Sequence, residues 1–380
     1  MTKHGVVFLT TEYPSERDPI GGIFVREHAL AAAEIADVAV IHLSRTRGGR
    51  GLYEIEPVAG ESLPTWRVHY RRFGRPLSYA AFVSGAAAAI RCARRVVRPE
   101  VLHANSHLSM LPGLAIGSAL RVPLVYTEHW SIFLPDNPSE LSPAMRRAAR
   151  VALRRASVVL PVSEAMHAAL AAIEPRARLR VVPNAVDTTL FRPNGRTPKV
   201  GPPLLFTAGG LTENRSKGID YLLEAASLLD RRGREFELEI AGDGPRRKEY
   251  EALSARLGLD GRVRFLGVLP KPVLADRMRA ADLFVLASRF ENNPCVVMEA
   301  MASGLPVVGT RVGGIPELVD TAAGVLVEPN DPQAIADGVD NALALDFDRP
   351  AIAQAAKERY GRERIASELA DVYEDVVGRR

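Results

Sequence analysis

An α/β chain made of two doubly wound, Rossmann-like domains is the fold class this sequence predicts, on three observations. Strand-length apolar runs alternate with helical patterns through both halves. The 380 residues suffice for two domains, each with its own core. A proline- and glycine-rich stretch, Arg192–Pro203, separates the two runs of alternation and serves as a connector.

The first half begins with a strand at Val6–Thr10, a helix near Phe24–Ile35 and a strand at Val38–Leu43. A Gly/Arg loop, Arg45–Gly51, leads to a weaker strand, Trp66–Tyr70, and a long Ala-rich helix near Leu77–Val97. Glu100–Ala104, Leu124–Thr127 and Val158–Val162 read as short buried strands, separated by helices near Ser109–Leu120 and Pro143–Arg155. In the second half the strands are Leu204–Ala208, Phe236–Ala241, Val263–Leu266, Leu283–Ala287, Pro306–Gly309 and Gly324–Val327, with helices between them. Such alternation predicts parallel sheets covered by helices on both faces, with ligands bound beyond the carboxyl ends of the strands. The expected domains are residues 1–185 and 186–358, followed by a helical segment at 359–380.

Composition limits the class. With 47% apolar and 25% charged residues the chain is that of a globular protein. The uncharged stretches Leu77–Ile90 and Leu108–Leu120 are too short and too rich in small residues to span a bilayer. VVFLT after Lys3 and His4 is strand-length and runs into Glu12, unlike a signal peptide, so a cytoplasmic protein is expected. Two cysteines, Cys92 and Cys295, allow neither a disulfide framework nor zinc spacing. Net charge is only +4, but arginines cluster. Arg146, Arg150 and Arg154 share one helix face with Arg147 and Arg155 beside them, and Arg67, Arg71, Arg72 and Arg75 precede the Ala-rich helix. Such a face either is solvated or docks on anionic lipid at the inner face of a membrane. No aromatic stacking pattern accompanies it, so no nucleic-acid partner is expected.

The most informative stretch is Ser288–Leu318, SRFENNPCVVMEAMASGLPVVGTRVGGIPEL. Asn293 reads as an N-cap and Pro294 as the first helical residue, and Gly304 suits a left-handed helix end. A helix of two to three turns therefore starts just after Glu291. Its first amides have no partner inside the helix and, with the aligned peptide dipoles, favour an anion, most simply phosphate, along Asn292, Asn293, Pro294, Cys295 and Val296. Glu299 lies further along the same helix, where its carboxylate can accept from neighbouring hydroxyls.

Glu291 and Glu299, eight positions apart and followed by AMASGLPVVGT and GGIPELV, resemble the signature of retaining, nucleotide-sugar-dependent glycosyltransferases of family 4, which have the GT-B fold. The resemblance covers nearly the whole chain, most strongly Val181–Val327. It implies two Rossmann-like domains facing across a cleft, with a final helix, here near Arg362–Val377, crossing back onto the first. It also implies that Glu299 grips the ribose, Glu291 lies beside the donor sugar, and the amides near Asn293–Val296 meet the diphosphate. Where the commonest family pattern has Gly-Phe-Gly, this chain has Asn292-Asn293-Pro294.

Other motifs carry two readings each. Gly21-Gly22, after a strand and before a helix, is either an ordinary turn or a place where backbone approaches a ligand; the resemblance places donor phosphates there. His129, in YTEHW, follows a strand; a lone histidine is often structural, whereas the resemblance makes it a contact of the transferred sugar. Glu128 and Trp130 flank it, and His103 in VLHAN is a weaker candidate of the same kind. Lys217 precedes a helix and is either a solvated lysine or, by resemblance, a diphosphate ligand. The family arginine is replaced by Gly210, so either Arg215 substitutes for it or the second cation is absent. Gly242-Asp243-Gly244-Pro245 lacks the third glycine of a dinucleotide fingerprint and reads as a tight turn near the base, with Arg289 and Phe290 beside it. Asn184 and Asp187, in VVPNAVD, match a junction motif and read as hinge residues.

The catalytic set is thus Glu291, His129 and Lys217, with a nucleotide-sugar donor, a saccharide or lipid-linked acceptor, no cofactor and no required metal. Rival readings are a glycosidase using the two glutamates, a nucleotide-sugar epimerase, and a catalytically silent nucleotide- or membrane-binding scaffold.

Overall fold

The computed structural model describes residues 3–16, 18–46, 51–71, 75–137, 141–193 and 201–379. These form two compact units, one of Met1–Phe133, Ser139–Ala185 and Arg362–Arg380, the other of Leu134–Pro138 and Val186–Gly361. Residues 194–200 of the expected connector, 47–50 of the Gly/Arg loop, and Arg72 lie outside the described residues.

The first unit contains β1 (His4–Thr10), α1 (Ile23–Ile35), β2 (Ala36–Thr46), β3 (Tyr53–Pro57), β4 (Thr65–Arg71), α2 (Arg75–Ala93), β5 (Val101–Asn105), α3 (His107–Leu120), β6 (Leu124–Glu128), α4 (Pro143–Arg155), β7 (Val158–Pro161) and α5 (Glu164–Ile173). Its sheet runs β3-β4-β2-β1-β5-β6-β7. Every pair is parallel except β3 with β4. β5, β6 and β7 are buried at every position, as parallel strands covered on both faces must be. The sequence reading has no strand at β3, because an antiparallel edge strand with the pattern YEIEP is exposed or half-exposed throughout and lacks an apolar run.

In the second unit β8 (Leu204–Ala208), α6 (Ile219–Arg231), β9 (Glu237–Ala241), α7 (Arg247–Arg256), β10 (Val263–Gly267) and α8 (Lys271–Ala280) alternate first. Then come β11 (Leu283–Leu286), α9 (Cys295–Ala302), β12 (Val307–Thr310), α10 (Ile315–Leu318), β13 (Gly324–Val327), α11 (Pro332–Ala344) and α12 (Arg349–Tyr360). The sheet is parallel throughout, ordered β10-β9-β8-β11-β12-β13. Asp331 and Asp348 cap α11 and α12 by accepting first-turn amides, at 2.9–3.1 Å, a contribution of about 1 kcal/mol each.

The last helix, α13 (Arg362–Gly378), belongs to the first unit. Its buried face, Ile365, Leu369, Val372, Tyr373 and Val376, joins Val25, Ala29 and Ala32 of α1 in one core cluster. Arg362 donates from Nε and Nη2 to Glu27 Oε2, at 2.9 and 2.6 Å, beside that core.

Each sheet reverses its strand order at one point, between β1 and β5 in the first unit and between β8 and β11 in the second. Loops leaving adjacent strands there diverge to opposite faces, which opens the crevice where α/β proteins bind ligands.

Candidate active site

In the second unit Lys217 comes from the loop after β8 and Glu291 from the loop after β11, so the reversal of strand order brings them together. Lys217 Nζ donates to Glu291 Oε1, and Ser288 Oγ donates to the same oxygen at 3.0 Å. Both side chains are partly buried, 22% and 12% exposed, so the charges attract through little water. The lysine stem crosses Gly209, where a Cβ would lie 3.0–3.1 Å from Lys217 Cγ, Cδ and Cε. A side chain at Gly209 would therefore displace the ammonium. Gly313, at φ +49, supports the pair from the other side: a Cβ there would sit 1.7 Å from the carbonyl oxygen of Glu291. The ammonium expected to reach a diphosphate thus meets a carboxylate in this structure.

Helix α9 begins at Cys295. Its N-cap is Pro294, at φ −70° and ψ 111°, with no side-chain capping bond. This corrects the expected cap at Asn293, because an extended ψ at Pro294 keeps that residue out of the helix. Asn292 and Asn293 lie just before it and are buried. The amides of Cys295 and Val296, both half-buried, open the helix, and Gly304 follows its last turn at φ +73. Glu299, in the same helix, is 3% exposed and accepts from Lys271 Nζ at 2.6 Å. Sequence reasoning missed Lys271. The available signal was a lysine opening a helix, against the dipole, which requires a partner elsewhere.

Arg215 does not join this cluster. Its guanidinium donates to Glu249 Oε1 at 2.6 Å and to Asp220 Oδ2 at 3.4 Å, so two carboxylates hold it on the side of α6 and α7. Arg289 also donates to Asp220, at 2.8 and 3.0 Å, and stacks 4.3 Å over Tyr221. Phe290 is buried. Gly210 is half-buried beside Thr212, and Gly242 and Gly244 lie in the turn after β9, where the Gly242 N–H donates to the Gly267 carbonyl at 2.7 Å.

In the first unit Gly22 is the left-handed N-cap of α1, and the Gly21 N–H donates to Asp18 Oδ1 at 2.8 Å. His129 follows β6 by one residue but is only 7% exposed. Its Nδ1 lies 2.8 Å from Asn184 Oδ1 and its Nε2 3.0 Å from Asn105 Oδ1. Burial, with His28 nearby, holds its pKa well below the usual range, so the ring is neutral at pH 7. His103 is fully buried and bonds Tyr373 Oη at 2.8 Å and Thr127 Oγ1 at 2.6 Å. At the start of the second unit Asp187 accepts from the Thr189 N–H and hydroxyl at 3.0 and 2.6 Å, which shapes the turn there.

Two carboxyls gather where β1 and β6 end. Glu128, fully buried, accepts from the Tyr126 hydroxyl and, at 2.8 Å, from the Trp130 N–H. Burial pushes its pKa up to about 8. Glu12 accepts from Trp130 Nε1 at 2.7 Å and is pushed up to about 7, also by burial. Glu12 was invisible in the sequence because its partner is 118 residues away. Among the described residues no group of three or more His, Cys, Asp or Glu is placed to hold a metal, and no helix is long and apolar enough to cross a membrane.

Residues 21–190 match Glycosyltransferase Family 4, and residues 202–344 match Glycosyl transferases group 1. An alpha-D-kanosaminyltransferase of Streptomyces kanamyceticus is 30% identical over 279 residues, covering 68% of this chain and 72% of the relative. A D-inositol 3-phosphate glycosyltransferase of Corynebacterium kroppenstedtii is 30% identical over 329 residues, or 80% of this chain and 72% of the relative. Among solved structures, Anabaena HepE in complex with UDP-glucose superposes with a TM-score of 0.74 at 21% identity, covering 98% of this chain and 100% of that one. Two parallel-sheet units with these matches define a glycosyltransferase of the GT-B type. The chain belongs to glycosyltransferase family 4.

Proposed function

We propose that this glycosyltransferase takes its sugar from a nucleoside-diphospho-sugar and transfers it with retention of anomeric configuration. The observation that carries the reading is the meeting of Lys217 and Glu291 beside the first turn of α9, with Glu299 further along that helix. In the reaction the C1–oxygen bond to the β-phosphate breaks as the acceptor oxygen bonds C1 on the same face. The departing phosphate oxygen takes the acceptor's proton, so no protein base is needed. Negative charge grows on that phosphate, and Lys217 with the amides of Cys295 and Val296 stabilises it, each such donor contributing about 3–4 kcal/mol. Glu291 lies beside the sugar and holds Lys217 until the diphosphate arrives; Glu299 takes the ribose. Gly210, Gly242 and Gly244 line the nucleotide side. Arg215 serves there only if a ligand draws it from Asp220 and Glu249. In the first unit, a hydrogen bond from His129 to a sugar requires Asn105 or Asn184 to release a ring nitrogen.

No cofactor or metal takes part in this reading, and turnover in EDTA equal to that in magnesium is expected. The acceptor is a saccharide or lipid-linked saccharide of the cell surface, and the arginines exposed on α4 dock the first unit on anionic lipid. The holding of Arg215 by two carboxylates favours one competing reading, a silent nucleotide-binding scaffold. Thermal unfolding with UDP, GDP and ADP, free and as sugar conjugates, tests the donor site. One nucleotide at a hundred times its Kd should stabilise the protein by about 2.7 kcal/mol and fail to stabilise Glu299→Ala. Release of free nucleoside diphosphate then separates enzyme from scaffold, and the anomeric proton coupling of the product reports retention.

A further inference from the structure

The donor site described above gives Lys271 no part, yet its position is costly for a lysine. It is the first residue of α8, where the helix dipole repels a cation. Its ammonium nevertheless turns to Glu299 Oε1, 2.6 Å away, and lies 5.3 Å from the centre of the Phe191 ring. Glu299 is all but buried, its side chain 4% exposed against 26% for the lysine. A carboxylate so removed from water turns outward unless a cation holds it. The two oxygens of Glu299 also differ. Oε1 accepts from Lys271, whereas among the described residues no group donates to Oε2. At the other glutamate both donors, Lys217 and Ser288, share a single oxygen as well, but there the ammonium lies where the diphosphate is expected.

We propose that Lys271 is a positioning residue for the ribose: by holding Oε1 it keeps Glu299 in one rotamer, leaving Oε2 to accept from the vicinal 2′- and 3′-hydroxyls. This rests on the donor reading above. A carboxylate fixed in this way selects ribonucleotides over deoxyribonucleotides, and the selection depends on a residue that itself touches no part of the ligand.

The test is a cycle of affinities measured by calorimetry. The nucleoside diphosphate that binds best among UDP, GDP and ADP is compared with its 2′,3′-dideoxy counterpart on the parent protein, Lys271→Met and Lys271→Arg. Removing the hydroxyls should weaken binding to the parent about 10- to 100-fold, the loss expected for hydrogen bonds to a charged group. In Lys271→Met the two ligands should bind within about threefold of each other, near the parent's affinity for the dideoxy form. Lys271→Arg should restore the preference. If Lys271→Met keeps the parent's full preference, the inference is overturned and the donor site stands. Equal weakening of both ligands in Lys271→Met also overturns it, since that result marks a phosphate contact. A parent protein that binds none of the three overturns the donor reading, and this inference with it.

Discussion

The two units present opposite chemistry at the carboxyl ends of their sheets. In the first, the polar groups are neutral and withdrawn: His28, His103 and His129 are buried with depressed pKa values, and Glu128 is buried with a raised one. In the second, the groups are full charges held in pairs, Lys217 with Glu291 and Lys271 with Glu299, each lysine keeping some contact with water. Burial without a counter-charge neutralises a group, whereas burial with one preserves both charges. The second unit is therefore equipped to exchange an internal ion pair for an ionic ligand. In the first, burial above all sets the protonation of these groups.

The largest effect expected from this contrast is on turnover. Lys217→Ala should lower kcat by about 10² to 10³, equivalent to about 3–4 kcal/mol, in an assay of nucleoside diphosphate release. Glu12→Gln, which removes no full charge from the second unit, should leave nucleotide affinity unchanged. A Lys217→Ala enzyme with normal kcat would end the claim that this ion pair is the reactive one.

Next comes the backbone beneath the pair. Gly313→Ala places a Cβ 1.7 Å from the Glu291 carbonyl at φ +49, so chemical denaturation should show a loss of about 3 kcal/mol. The same change at Gly233, where a Cβ meets nothing within 4 Å but φ is +74, should cost about 1 kcal/mol.

The first unit's groups predict a pH profile. Glu12 and Glu128 titrate at about 7 and 8 in the fold against 4.5 in the unfolded chain. Their contribution is complete below pH 4.5 and is lost as pH rises through 7 and 8. His28 and His42, lowered from 6.5 to about 4, act in the other direction: their contribution is present above 6.5 and is lost as pH falls through 4. Melting temperature should therefore decline from pH 6 to pH 9, and Glu128→Gln should flatten that decline. An unchanged slope in Glu128→Gln would remove this carboxyl from the account. The smallest effect belongs to α4. Replacing Arg146, Arg150 and Arg154 by Gln should weaken binding to phosphatidylserine vesicles by about 1 kcal/mol per residue and leave nucleotide binding intact. No vesicle binding by the parent would identify a solvated face.

Apart from the edge strand β3, both sheets were legible because parallel strands buried on two faces are written as largely apolar runs, as in Leu204–Ala208. The sequence singled out Glu291 and Glu299 by motif spacing and Lys217 by family resemblance, and the structure brings Lys217 to Glu291. What stayed hidden depends on pairs far apart in the chain. Lys271 and Glu299 are 28 positions apart and Glu12 and Trp130 are 118 apart, and no local pattern couples them. Arg215 was misplaced for the same reason, since nothing near it in sequence announces Glu249 as its partner. Asn293 was a reasonable cap by residue type, but the conformation of Pro294 decided where α9 starts.

The docking of α13 on α1 bears on how the chain is made. Leu369, Val372 and Tyr373 complete the core that Val25 and Ala29 begin, more than 300 residues earlier. Emerging from the ribosome, the first unit keeps that apolar face uncovered until α13 is synthesised. Nearly all of the second unit, Val186–Gly361, is by then outside the exit tunnel and able to fold. The core of the unit encoded first is thus completed only after the second unit has been encoded.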